Sequence, residues 1–392
     1  MSPRTYLLAA GAFTVGTSGY IISGLLPQVS RELQVSPAAA GQLVTAFAIA
    51  YAIASPLLAA ATGRWERKRL VITALLVSAV GNALSAIAPS YELLLVARVI
   101  AALGAAAFTP TATAVGTTIN PPERRGRAVA VVFGGLTLAL IVGVPAGGLL
   151  GPSLGYQGVF WLVAAASVVA AVVSVFGLPR VAAPPAVRLR ERFAVLADVR
   201  VRLVLGMTVL ACLSAFSVFT YSSSLLAKTA DLHGGVISLM LLGYGAGGAI
   251  GNALGGRLTD RFGSRTPLLW SVTFFVAILA TLPFTAVTAV SAGVVFFLWG
   301  LATWSVNPPI QNWLIELAPT TSGLLLSVNA SAIYLGVGLS GVVGGLVISS
   351  WGVLVLPPIA AAVAALSFVL LVLAGRRGTE PVGEPEAELV PA

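Results

Sequence analysis

PERRGRAVAVVFGGLTLALIVGVPAGGL, Pro122–Leu149, lies over PTTSGLLLSVNASAIYLGVGLSGVVGGL, Pro319–Leu346, at an offset of 197 residues. Pro122/Pro319, Gly126/Gly323, Gly147/Gly344, Gly148/Gly345 and Leu149/Leu346 coincide. Each copy runs from a polar turn into an apolar stretch of about 20 residues, enough to cross a hydrocarbon core of ~30 Å at ~1.5 Å per residue. A duplicated block of spans is the economical explanation. Outward from this pair, apolar runs fall at about 5–27, 37–62, 70–88, 93–118, 128–151 and 158–178, then at about 203–225, 235–256, 267–287, 291–313, 323–346 and 354–375. The pattern predicts an all-α membrane protein: twelve transmembrane helices in two pseudo-symmetric six-helix bundles, 1–178 and 203–375. A linker at 179–202 joins them and a tail at 376–392 follows.

Composition agrees. With 58% hydrophobic and 9% charged residues, the 392-residue chain has too few polar groups to cover a water-exposed surface. The net charge of +9 could suggest nucleic acid, but the basic residues sit in short clusters between apolar runs, so no nucleic-acid partner is expected. Nineteen of the 22 Lys and Arg fall on alternate loops, which predicts cytoplasmic termini in a multi-pass protein of a bacterial inner membrane. The linker alternates Arg with Val, Leu and Phe, as would a helix lying on anionic lipid; a plain tether is equally compatible. A lone Cys212 and a lone His233 supply neither a disulfide nor a metal ligand set. No Walker A sequence is present, and GYGAGG, Gly243–Gly248, lies inside a membrane run and reads as helix packing. Neither cofactor nor enzymatic activity is expected.

Two duplicated bundles place a substrate site near the bilayer midplane, exposed alternately to each side. The loop GGRLTDRFGSR, Gly255–Arg265, resembles the signature between the second and third helices of each half in the major facilitator superfamily, with Gly256, Asp260, Arg261, Gly263 and Arg265 at the family's spacing. Physically, Gly256 would let two helices approach, and Asp260 would pair with Arg side chains or cap a helix, so that the loop latches the inner gate in one state; a charged loop that only anchors topology is the alternative. In the first-half counterpart, ATGRWERKR from Ala61, Arg64 stands where the acid would be, so any latch there must differ. GGLTLALIVGVPAGG, Gly134–Gly148, is similar to the fifth-helix motif of the superfamily's exporters, with Gly134, Gly143, Pro145, Gly147 and Gly148 in register. Small residues allow close packing and Pro145 bends the helix; in the family this surface is thought to seal a cytoplasm-closed state. GTSGYIISGLLPQVSREL from Gly16 and PERRGRAVAVVFGG from Pro122 resemble the twelve-span drug/proton antiporters that include chloramphenicol-resistance and arabinose-efflux permeases.

Relatives in that branch commonly carry an acid near the position of Gly19; this chain has none, and all thirteen acidic residues fall in loops, span ends or the tail. Arg98, within LLLVARVIAALGAAAFTP, therefore has no carboxylate partner inside the membrane. An isolated charge there costs about 2.5–3.5 kcal/mol on insertion scales, less if it snorkels. The family's fourth-helix motif places a proton-coupling arginine here, so Arg98 is expected to face the first helix and bond carbonyls, hydroxyls or water. Polar and aromatic residues at mid-span depth, Tyr20, Gln42, Tyr51, Phe108, Phe216, Tyr221, Trp304, Asn307, Gln311, Asn329 and Tyr334, are the substrate-binding candidates. They suit a moderately hydrophobic neutral or anionic small molecule, since a cation would want a carboxylate. The expectation is a monomeric exporter of a small amphiphilic compound working by proton exchange. The alternative is a passive or importing carrier for a sugar or metabolite, and a non-transporting sensor or scaffold lacks any extra-membrane domain.

Overall fold

A computed structural model describes residues 2–121, 124–182, 197–317 and 322–376, and no strand occurs among them. The helices are α1 Arg4–Glu32, α2 Pro37–Ala61, α3 Arg67–Ile87, α4 Tyr91–Thr118, α5 Arg125–Leu138, α6 Val144–Gly177, α7 Val199–Thr220, α8 Ser222–Ala230, α9 Gly235–Phe262, α10 Arg265–Thr285, α11 Ala289–Ser305, α12 Asn307–Leu317, α13 Ser322–Trp351 and α14 Leu356–Arg376. Local chemistry sets several starts. The Ser90 hydroxyl accepts from the Leu93 N–H at the head of α4, Asp198 accepts from the Arg200 N–H at α7, and Thr288 and Ser291 form a reciprocal capping box at α11. Gly263 ends α9 at a φ of 73°, a conformation open to glycine at no steric cost.

Eleven described segments are long and apolar enough to cross a membrane, and one, Arg127–Gly177, is 51 residues long. At helical rise it would span about 75 Å, more than twice the hydrocarbon core. It is two crossings. Gly155 leaves helical geometry at φ 65°, ψ 170°, and the contacts on either side run in opposite directions along α1. Added β-carbons at Gly135, Gly143, Gly147 and Gly151 would strike Ala9, Thr17, Ile21 and Gln28 in turn, while one at Gly177 would strike Leu7, back near the start of α1. The segment therefore climbs beside α1 and returns, as the spans expected at 128–151 and 158–178 require. Between α5 and α6 the chain takes one π turn, Ala139–Gly143. Pro145 explains it: its ring lacks an N–H and crowds the Ile141 carbonyl, and a widened turn relieves the clash.

The tenth span, expected unbroken at about 291–313, is two helices, α11 and α12, interrupted at Val306 ahead of Pro308 and Pro309. The seventh begins at Val199, inside the stretch assigned to the linker. The surface helix expected across the linker falls mostly on 183–196, outside the described residues, as does the tail beyond 376.

Packing follows the small residues. Added β-carbons at Gly247, Gly251 and Gly255 on α9 would meet the backbone carbonyls of Phe297, Leu301 and Ser305 at 2.0, 2.2 and 2.6 Å, and one at Gly300 on α11 would meet the Tyr244 carbonyl at 1.9 Å. GYGAGG is thus part of a glycine seam that brings two helices into backbone contact. The two halves meet along α2 with α13, α6 with α9, and α1 with α7.

Candidate functional site

The seam between the halves carries an aromatic cluster. Tyr20 of α1 stacks on Phe216 of α7 at 5.5 Å between ring centroids, and Tyr51 of α2 stacks on Tyr334 of α13 at 3.6 Å. All four are buried, and the Tyr20 and Tyr334 side chains approach each other across the seam. Four of the sequence candidates are therefore brought together from four helices, two in each half.

Two more brace the same seam farther along it. Gln42 donates from Nε2 to the Gly341 carbonyl at 2.8 Å, and the Tyr221 hydroxyl donates to that same oxygen at 3.0 Å. Gly41 makes room for Tyr221, whose hydroxyl would lie 2.0 Å from an added β-carbon. Gln42 and Tyr221 are thus committed to holding α2, α7 and α13 together. The remaining candidates lie elsewhere. Phe108 is fully buried within the first half against Gly11. Asn329 accepts from the Thr208 hydroxyl at 2.7 Å between α13 and α7, packed within the second half. Gln311 donates to Asn307 at 3.2 Å along α12, and Trp304, half-buried, rests on Gly248.

Arg98 does not snorkel. Its side chain is fully buried and reaches α1, donating from one terminal nitrogen to the Ser18 carbonyl and from the other to the Ser18 hydroxyl at 3.4 Å. Ser18 passes its own proton to Asn82 Oδ1 at 2.8 Å, and Asn82 donates to the Ser78 carbonyl at 2.8 Å. The Phe47 and Phe160 rings lie 4.6 and 5.4 Å from the guanidinium carbon. Neutral dipoles and ring faces replace the missing carboxylate, which is the electrostatic role they can fill in a low-dielectric interior. Ser18 and Asn82 were not singled out from the sequence. Their polarity within an apolar run was the available signal.

The fifth-helix glycines pack against both halves. Gly135, Gly143 and Gly147 face α1, an added β-carbon at Gly148 would lie 2.6 Å from the Ser238 hydroxyl of α9, and one at Gly245 of α9 would lie 2.5 Å from Ile141. Gly134 faces open space. In the α9–α10 loop, the close approach comes from Gly255; Gly256, assigned that role from the sequence, has nothing within 4 Å of an added β-carbon. The residue one position earlier points at α11 because helical neighbours are rotated by about 100°. Asp260 is exposed and makes no hydrogen bond or ion pair among the described residues, so the expected pairing is not formed in this conformation. Arg261 stacks over Phe262 at 5.2 Å and Arg265 over Trp313 at 5.3 Å, both inside the second half.

The first-half loop has its own fastening. The Glu66 carboxylate accepts from the Lys68 and Arg69 N–H groups at 2.9 and 3.0 Å, capping α3, and from the Val181 N–H at 2.9 Å just beyond α6. The Arg67 N–H returns a bond to the Val181 carbonyl at 2.9 Å. Partial burial works against the charged carboxylate, but the three N–H donors and the Arg69 charge outweigh it and hold the group below the usual range.

A family model described as Major Facilitator Superfamily matches residues 8–323 and again 207–391. The chain is 35% identical to the inner membrane transport protein YdhP of Escherichia coli over 96% of both chains. It is also 35% identical to a chloramphenicol resistance protein of Streptomyces lividans, over 65% of this chain and 66% of that one. Among solved structures, a bacterial homolog of the human lysosomal transporter Spinster, in an inward-facing and unoccupied conformation, superposes with a TM-score of 0.76 at 17% identity, covering 98% of this chain and all of that one.

Proposed function

Because the chain belongs to the Major Facilitator Superfamily, and is thus a multi-pass membrane transporter, we propose that it exports a small, uncharged amphiphilic compound in exchange for protons. The two bundles, 1–178 and 203–375, rock about the seam while the 179–202 linker tethers them. Both termini face the cytoplasm, the membrane is the bacterial inner membrane, and the monomer is the working unit.

One observation carries this reading: the Tyr20, Tyr51, Phe216 and Tyr334 cluster, assembled from both halves and containing no acid or base. Apolar ring faces with a few hydroxyls suit an aromatic, weakly polar ligand, and rings contributed by both halves couple its binding to their relative position. The chloramphenicol resistance relative supports a ligand of that kind. Proton exchange is supported by Arg98, a buried cation whose neutral partners leave it sensitive to any charge arriving nearby.

Counterflow of labelled chloramphenicol in proteoliposomes, with and without an imposed pH gradient, tests the proposal. Uptake accelerated by the gradient in wild type but not in Arg98→Ala is expected. Transport indifferent to the gradient would replace antiport with the passive carrier, the reading favoured by the confinement of acids to the ends of the described spans. No transport of any neutral aromatic compound would remove the substrate class.

A further inference from the structure

The ring cluster at the seam continues into the second half, where its chemistry changes. From Phe216 the rings pass to Phe219 at 5.7 Å, to Tyr244 at 4.9 Å and to Trp299 at 4.6 Å. Tyr244 and Trp299 are fully buried. The Tyr244 hydroxyl and the indole N–H groups of Trp299 and Trp304 are all shielded without a hydrogen-bond partner. The Tyr244 hydroxyl approaches Thr303 and Trp304 without reaching hydrogen-bond geometry with either. The Thr303 oxygen, whose own proton goes to the Trp299 carbonyl at 2.8 Å, keeps lone pairs but lies outside hydrogen-bond geometry with the Tyr244 hydroxyl, and an indole can only donate.

A buried donor with no acceptor costs about 1–3 kcal/mol, so folded proteins rarely leave several together. Three in neighbouring rings ask for an acceptor from outside the chain. Trp304 and Thr303 are only half-buried, which leaves this group bordering accessible space, and Gly248 is what lets the Trp304 indole settle beside α9. Among the described residues, the ionisable side chains that act on the Tyr244 hydroxyl are Cys212 and Tyr20, both neutral, so they offer a charged ligand no counter-ion.

We propose that Tyr244 and Trp304, backed by Trp299, form a donor subsite that takes an uncharged hydrogen-bond acceptor, such as a nitro or carbonyl group on an aromatic ring. This deepens the substrate class given above and rests on it. The ring stacks at the seam hold the apolar body of the molecule, while the subsite selects for the acceptor at its end. An amine of similar size presents donors to donors and is rejected, since the site's own polar groups then stay unpaired.

The test is ligand binding to the purified full-length protein by thermal shift and titration, using nitrobenzene, aniline, toluene and chloramphenicol. Wild type is expected to prefer nitrobenzene over toluene and aniline. Tyr244→Phe keeps the ring and removes the donor, and should cut that preference about five-fold, the order expected for one neutral hydrogen bond. Trp304→Phe should do the same while toluene binding stays unchanged, and it serves as the second arm if Tyr244→Phe lowers the yield of folded protein. Equal binding of nitrobenzene and toluene by wild type, or an undiminished preference in both variants, overturns the subsite. Acceptor-selective binding without lowered accumulation of chloramphenicol in expressing cells leaves the subsite standing and overturns the export function instead.

Discussion

Arg98 and Ser18, 80 residues apart, form the one contact in which a buried cation of α4 is held by the backbone of α1: the guanidinium donates to both the carbonyl and the hydroxyl of the same residue. A planar fork can satisfy two acceptors on one residue; an ammonium at the end of a flexible stem cannot hold both at that geometry. Arg98→Lys is therefore expected to lose most transport while retaining expression, and Ser18→Ala, which keeps the carbonyl, to lose far less. Initial rates in proteoliposomes measure both. Lys at full activity would reduce position 98 to a simple positive charge.

Adjacent glycines give a paired test of the α1–α5 seam. An added β-carbon at Gly135 would sit 2.1 Å from the Ala9 carbonyl, a backbone atom that cannot step aside, whereas Gly134 has nothing within 4 Å. Gly135→Ala should destabilise by more than 1 kcal/mol, about the cost of overpacking, and Gly134→Ala should be neutral or stabilising by up to about 1 kcal/mol through helix propensity. Thermal unfolding in detergent separates them. Equal effects would show that α1 and α5 do not pack this way.

Gly147 faces Ile21, whose Cδ1 would lie 2.3 Å from an added β-carbon. Being the end of a flexible side chain, it can yield to Ala but not to a branched four-carbon group. Gly147→Ala should retain export, and Gly147→Leu should abolish it with protein still in the membrane, read as drug accumulation in expressing cells.

At Glu66 the folded carboxyl is held below its ordinary value, so its contribution to stability is present above the unfolded carboxylate pKa of about 4.3 and is lost as pH falls through the lower folded value. Glu66→Ala should cost about 1 kcal/mol at neutral pH through the lost cap and freed Val181. Its deficit relative to wild type should shrink as pH drops below about 4. Melting temperatures across that range decide it; a deficit that stays constant in acid would mean that charge plays no part.

Asp260 is exposed and unpaired here, so Asp260→Asn should leave thermal stability within about 0.5 kcal/mol. A latch role would need a conformation in which Asp260 meets an arginine. It would appear as greater labelling of cysteines placed at the Arg-rich end of the seam, and unchanged labelling would leave Asp260 an ordinary loop residue.

The sequence by itself determined the crossings, because burial in hydrocarbon demands about 20 apolar residues per span wherever they occur. It also revealed the duplication, through coincident glycines such as Gly147/Gly344, and the isolation of Arg98, through the positions of all thirteen acids. What it could not determine is direction around each helix. Gly255 and Gly256 are alike in composition, yet only one faces Ser305. Of eleven polar and aromatic candidates, Tyr20, Tyr51, Phe216 and Tyr334 meet across the seam, while Asn329 turns toward Thr208 inside its own half. Tyr244, hidden in a glycine-rich stretch that read as packing, joins Phe216 through the Phe219 ring. In a span that is apolar on every side, no hydrophobic face marks which way is inward. Tertiary packing alone, set by where small residues let backbones touch, rotates each helix and so decides which side chains share a site.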